Sequence, residues 1–222
     1  MKNVSLNFDY RSYQEKIREL DKLWFENSIC DSDSPYWLNR ELEPCPFEGN
    51  LLEAKVILLL ANPHLNKNSL FLDHNPNDTE GWGLWGLNDG KGYSVTSWWR
   101  ARLKSFVKDQ YDNDSWRQLS LKVAAIQVIP WASKSFPPYK LPSIELMLNT
   151  VKLLAEHDKD KVFIICRQRN IWNRALNEAS NTKYFLRNVR CSYITRNNLN
   201  NHNNVNCSDY EWEQIMELLE SS

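Results

Sequence analysis

The sequence predicts an α/β fold: a three-layer, doubly wound sheet of four parallel strands with helices on both faces. Three observations carry this reading. Val56-Ile57-Leu58-Leu59-Leu60 is an unbroken apolar run, the mark of a strand buried on both faces of a parallel sheet. Further strands are read at 121–129, 161–166 and 189–195. Segments of helical periodicity separate them, so strand and helix alternate as right-handed crossover units do. All the carboxyl ends then share one rim, where open α/β sheets bind ligands.

Taken in order, 11–29 reads as a helix with Tyr13, Ile17, Leu20, Leu23 and Trp24 inward, and 1–43 as a helical cover on the sheet. Proline-bounded Pro44-Cys45-Pro46-Phe47-Glu48-Gly49-Asn50 leads into the strand at Val56–Leu60, which ends on Asn62-Pro63, where proline stops the ladder. The irregular stretch 66–92 holds five of the six glycines with Trp82 and Trp85, and a loop of that length in a compact domain is functional or disordered. Its tryptophans argue against disorder.

Thr96 or Ser97 can cap a helix through about Gln110, with Trp99, Leu103, Phe106 and Val107 inward. The strand over 121–129 ends on Pro130, and Pro142-Ser143 opens an amphipathic helix with Ile144, Met147, Leu148, Val151, Leu154 and Ala155 in one stripe. The strand over 161–166 delivers Arg167-Gln168-Arg169-Asn170 to the rim, ahead of a short helix at 171–179. After the strand over 189–195 comes a last helix with the capping box Ser208-x-x-Glu211, burying Trp212, Ile215, Met216 and Leu219.

Length and composition frame this as one domain, 1–222, with a full core. Basic and acidic residues number 27 and 28, a net charge of −1, so any affinity for nucleic acid must come from a local patch. Five cysteines without a C-x-x-C pair argue against a zinc ribbon, a disulfide framework and a four-cysteine iron-sulfur cluster. No metal and no other cofactor is expected, and the cytoplasm is the simple reading of location. The sequence has no signal-type segment and no run of the roughly 18 apolar residues that span a bilayer, so no membrane partner is expected.

The anchor P-x-P-F-x-G-N followed by A-K-V-I-L-L-L-A-N-P resembles the first motif of the uracil-DNA glycosylase-like superfamily, whose mismatch-specific branch ends this strand in Asn-Pro. With the four strands counted in chain order, the resemblance implies a sheet order of 2-1-3-4. It also implies DNA as partner and hydrolysis of an N-glycosidic bond to leave an abasic site. Some members of the superfamily remove hypermodified bases from bacteriophage DNA as an antiviral defence, and this chain is similar enough to be a candidate.

Such a reaction passes through a cation-like sugar and needs a positioned water, stabilisation of the leaving anion and a pocket for an extruded base. Asn62 cannot ionise and would orient water; a turn former at a strand end is the plainer reading. The superfamily's His- or Asn-containing second motif after the last strand is absent, replaced by Thr195-Arg196-Asn197-Asn198. Uracil excision is thereby in doubt, Arg196 becomes the candidate for anion stabilisation, and Asn197 a candidate substrate contact. Gln127 stands where several branches carry a base-reading Asn; a buried glutamine satisfied by backbone is the alternative. His64, Trp82, Trp85 and Tyr93 complete the candidate substrate contacts, the aromatics as stacking surfaces from a substrate loop at 66–92.

Lys134, Arg167 and Arg169 are candidate phosphate contacts, joined in a basic rim by Arg196 and the Arg100–Lys108 helix; separate solvated charges are the alternative. The reading is a monofunctional DNA glycosylase for a modified or mismatched base. The alternatives are an inactive DNA- or nucleotide-binding module of the same fold, or a hydrolase of free nucleosides.

Overall fold

A computed structural model describes residues 7–28, 31–63, 81–91, 96–158, 160–178 and 209–220. In chain order the elements are α1 (Tyr10–Asn27), β1 (Phe47–Glu48), β2 (Val56–Leu60), α2 (Thr96–Leu103), α3 (Asn113–Lys122), β3 (Val123–Gln127), α4 (Ser143–His157), β4 (Val162–Ile165), α5 (Arg169–Glu178) and α6 (Asp209–Glu220). The architecture is α/β, with a four-stranded sheet in the order β1-β3-β2-β4.

The sheet is mixed, which corrects the all-parallel 2-1-3-4 expectation. β2 pairs in parallel with β3 on one side and with β4 on the other, so three expected strands are neighbours with Val56–Leu60 at their centre. The fourth strand is the two-residue β1, antiparallel to β3, with Phe47 opposite Ile126 and Glu48 opposite Ala125. Pro44 and Pro46 lack the N–H that a longer ladder would use, yet Gln127 still donates to the Pro46 carbonyl at 2.9 Å and Cys45 to that of Pro130 at 2.7 Å. Gly49 ends the strand at φ 89°, where an added Cβ would lie 2.9 Å from both Ala124 Cβ and the Val123 carbonyl. The strand expected at 189–195 and the Ser208 cap lie outside the described residues.

Alternation along the strands sends side chains to two cores. Ile57, Leu59, Ala124, Ile126, Phe163 and Ile165 meet α1, α4 and α5 through Ile17, Met147, Val151 and Trp172. Val56, Leu58, Leu60, Val123, Ala125 and Ile164 meet Trp99 and Leu103 of α2, Trp116 of α3 and Ile215 of α6. Helices therefore cover both faces. Each fully buried Val, Leu or Ile contributes roughly 1.5–3 kcal/mol relative to exposure, so this double burial makes β2 the least replaceable element.

Two helices depart from the sequence reading. In α1 the buried stripe is rotated: Ile17 and Asp21 face inward, while Leu20 and Leu23 are exposed. Asp21 turns in because its carboxylate accepts from the Trp131 indole at 2.7 Å and from the Ser143 amide, at the start of α4, at 2.9 Å. Burial raises its carboxyl above the ordinary range, and these hydrogen bonds oppose the shift. The helix expected to reach Gln110 stops at Leu103 with a 3₁₀ turn at Lys104–Phe106, and α3 follows in a stretch given no element by the sequence, taking in the first two residues of the strand expected from 121. Asp112 caps α3 by accepting from the amides of Asp114 and Ser115.

Candidate functional site

Asn62 follows the carboxyl end of the central strand and is held from both sides. Its neighbour Ala61 accepts from the Ile129 amide at 2.9 Å, and Pro63 accepts from the Ser133 amide at 3.1 Å. The Asn62 amide nitrogen donates to Ser133 Oγ at 2.9 Å and lies 3.1 and 3.3 Å from the carbonyls of Pro63 and Ser133. Ser133 Oγ in turn donates to the Ser135 carbonyl at 2.7 Å, so toward Asn62 it can only accept. This fixes the amide orientation. The Asn62 Oδ1 has no hydrogen-bond partner among the described residues and is an acceptor set at the rim.

Gln127 closes β3 in register with Leu60 and is buried. Its Oε1 has no partner among the described residues, which departs from the reading of a glutamine satisfied by backbone. On the same sheet face, one diagonal step away, stands Glu48, also buried, with its Oε2 unpartnered. Burial pushes the Glu48 carboxyl up to about 8 from an ordinary 4.5, opposed by the nearby Trp99 indole. The Trp99 Nε1 makes no hydrogen bond of ordinary geometry. A Cβ built on Gly86 would lie 2.7 Å from Trp99 Nε1 and 3.2 Å from Glu48 Oε2, so both polar atoms approach one point beside the glycine.

At the end of β4 the chain turns into α5 through Gln168, whose φ of 55° is a left-handed conformation that costs a non-glycine residue about 1–2 kcal/mol. Its carbonyl accepts from the amides of Ile171 and Trp172. Trp172 is fully buried and its indole donates to the Leu60 carbonyl at 3.0 Å, fastening α5 to the end of β2. Arg167 and Arg169 flank the turn, half-buried, and Lys134 is exposed after β3. None of these three forms an ion pair among the described residues.

The other expected site residues divide. His64, Tyr93, Arg196 and Asn197 lie outside the described residues. Trp82 and Trp85 are buried at 9 and 3 % exposure, so their rings are covered by protein instead of lining an open loop. The described end of that loop, 81–91, packs onto the sheet: Leu84 donates to the Ser120 carbonyl at 2.7 Å, and Arg100 reaches the Leu87 carbonyl and Asp89. The Arg100–Lys108 segment, expected to add to a basic rim, engages part of its charge within the molecule. Arg100 also binds Asn113, Arg102 stacks 3.7 Å from the Trp98 ring, and Lys108 pairs with Glu220. Arg100 and Arg102 are thus engaged within the molecule, while Lys108 stays largely exposed.

Glu48 is the functional candidate that sequence reasoning passed over. The signal was a lone acid between two prolines, a phenylalanine and the turn-making Gly49. Buried Lys161 is structural, since its ammonium is spent at the opposite end of the sheet on the carbonyls of Leu52 and Ala54 and on Asp158. Among the described residues no group of three or more His, Cys, Asp or Glu could hold a metal ion, and no helix is long and apolar enough to cross a membrane. No family model, curated protein or solved structure matches this chain.

Proposed function

We propose that this protein is a monofunctional DNA glycosylase of the uracil-DNA glycosylase-like kind, acting on a modified or mismatched base. The observation that supports this best is Asn62: a neutral amide clamped at the carboxyl end of the central strand, with its N–H groups committed and its carbonyl oxygen directed to no described partner. Such an oxygen accepts a hydrogen bond from water and aims its lone pair. It cannot remove a proton, which suits a reaction in which the bond from sugar C1′ to the base nitrogen breaks first and the electron pair leaves with the base. Water then bonds to C1′ and loses its proton to solvent. Arg196, permanently charged, is the residue assigned to the departing anion. Gln127, one methylene longer than asparagine, supports a base other than plain uracil, and hypermodified phage bases are the class that the motif resemblance suggests.

The test is single-turnover excision from duplexes carrying uracil, mismatched, hydroxymethylated and glucosylated bases, with free nucleosides in parallel, scored as released base and alkali-labile sites. The wild type should release at least one base from DNA, and Asn62→Ala should lower that rate by about a hundredfold or more with little change in melting temperature. An Asn62→Ala protein as fast as wild type refutes the assignment. Because the sequence lacks the superfamily's second motif, a DNA-binding module without chemistry is the second reading, and binding without release of any base would establish it.

A further inference from the structure

Beneath the rim, three elements each contribute to the same sheet face one buried polar atom that makes no hydrogen bond of ordinary geometry: Glu48 Oε2 from β1 and Trp99 Nε1 from α2, which lie beside each other and interact, and Gln127 Oε1 from β3. Their side chains are 4, 2 and 5 % exposed. The register fixes their relation. Glu48 faces Ala125, so Gln127, two residues on, is its diagonal neighbour at roughly 7–8 Å, within reach of long side chains. Trp99 Nε1 and Glu48 Oε2 meet at the glycine, where any side chain would collide with the indole. Buried polar groups are ordinarily satisfied, and a face that holds one unpartnered amide oxygen beside a poorly aligned carboxyl–indole pair marks a place built for a partner.

The set of groups restricts that partner. A metal cation is disfavoured by the indole N–H, which can only donate, and a phosphate by Gln127 Oε1, which can only accept. What fits is a neutral planar molecule with acceptors and donors on one edge. We infer that Glu48, Trp99 and Gln127 form the base-reading floor of this protein, taking the hydrogen-bonding edge of an extruded nucleobase. The carboxyl, neutral near pH 7, donates to a ring nitrogen or exocyclic oxygen, the indole donates to a second acceptor, and Gln127 Oε1 accepts from a base N–H. The assignment of a base rests on the glycosylase reading.

The experiment has two arms, and Glu48→Gln is included because it keeps shape and one donor should Glu48→Leu fold poorly. In the first arm, single-turnover rates on the duplex panel are compared for wild type, Glu48→Gln, Glu48→Leu and Gln127→Ala. The ratio between the best and second-best base should change about tenfold or more in Glu48→Leu and Gln127→Ala and least in Glu48→Gln, because a polar pocket rejects bases that leave its groups unpaired. In the second arm, the ¹⁵N-labelled protein is titrated with free uracil, cytosine, 5-hydroxymethylcytosine, adenine and guanine. The Trp99 indole resonance, assigned by its loss in Trp99→Phe, should shift for at least one base, and the shift should vanish in Glu48→Leu. Excision with unchanged base ranking in the variants and a silent Trp99 resonance overturns the inference and leaves the glycosylase standing. A responding Trp99 without excision of any base overturns the glycosylase and keeps the site. If the resonance is silent and no base is released, the three atoms hold ordered water only, and both readings fall.

Discussion

Replacing Glu48 by glutamine tests the physical premise beneath the site. The folded carboxyl sits at about 8 against 4.5 when unfolded, so the native state holds the proton more tightly. The sign follows: stability is full below about 4.5, declines as pH rises, and levels off once pH passes the folded value of about 8. The slope in that window is about 1.4 kcal/mol per pH unit, so by pH 7 the wild type should have lost about 3 kcal/mol relative to pH 4.5 through this group alone. Glutamine has the same shape and no proton to gain. The variant should therefore match wild type near pH 4.5 and exceed it by about 3 kcal/mol at pH 7, roughly 6–12 °C in melting temperature for a chain of this size. The groups packed nearest do not confuse the result, because burial raises both the Tyr10 phenol and the Cys45 thiol above their ordinary values. Asp21, raised as well, is common to both proteins and cancels in the difference. The assay is urea unfolding of both proteins at half-unit steps from pH 4.5 to 8.5, with equal m-values required. A stability difference that stays constant across that range refutes the buried neutral carboxyl.

Three further outcomes follow from the rim. Ser133→Ala removes the acceptor that orients Asn62 and should slow single-turnover excision by about tenfold, while the double variant with Asn62→Ala should be no slower than Asn62→Ala alone; additive losses would mean the pair does not act as a unit. Gln168→Gly relieves the left-handed backbone at φ 55° and, after the entropy of a freer unfolded chain, should stabilise by about 0.5–1 kcal/mol; denaturant melts showing destabilisation would contradict the strain argument. Replacing Lys134, Arg167 or Arg169 by alanine should reduce the salt slope of DNA binding by about one unit for each phosphate the side chain neutralises, and three unchanged slopes would place DNA elsewhere.

The legible parts of the fold were those encoded by local pattern. Val56–Leu60 could be placed because five consecutive apolar residues admit few environments, and α4 because its stripe runs unbroken over four turns. Asn62 at the strand end was read from the same run and its proline stop. What escaped the sequence depends on partners far along the chain. Asp21 looked like a solvent-side residue until Trp131 and Ser143 supplied its hydrogen bonds. Trp82 and Trp85 looked like loop aromatics because nothing in the local sequence shows that Ser120 ties their segment down. Glu48 escaped because its environment comes from β3 and α2, and its own segment shows only a proline-rich turn.

The Asp21 contacts also set an order on biosynthesis. Its partners lie 110 and 122 residues downstream, so α1 emerges long before anything exists for it to dock upon. At about 5–20 residues per second, the helix waits roughly 6–24 s with Ile17 unburied. Most helical stability in proteins comes from packing of an amphipathic face, which α1 lacks until its partners are made, so α1 should close the structure late, after β2, β3 and the start of α4 have met. The first helix made is then fastened only once the start of α4 has emerged, and a ribosome stalled before residue 143 should carry a nascent chain whose N-terminal segment remains open to protease.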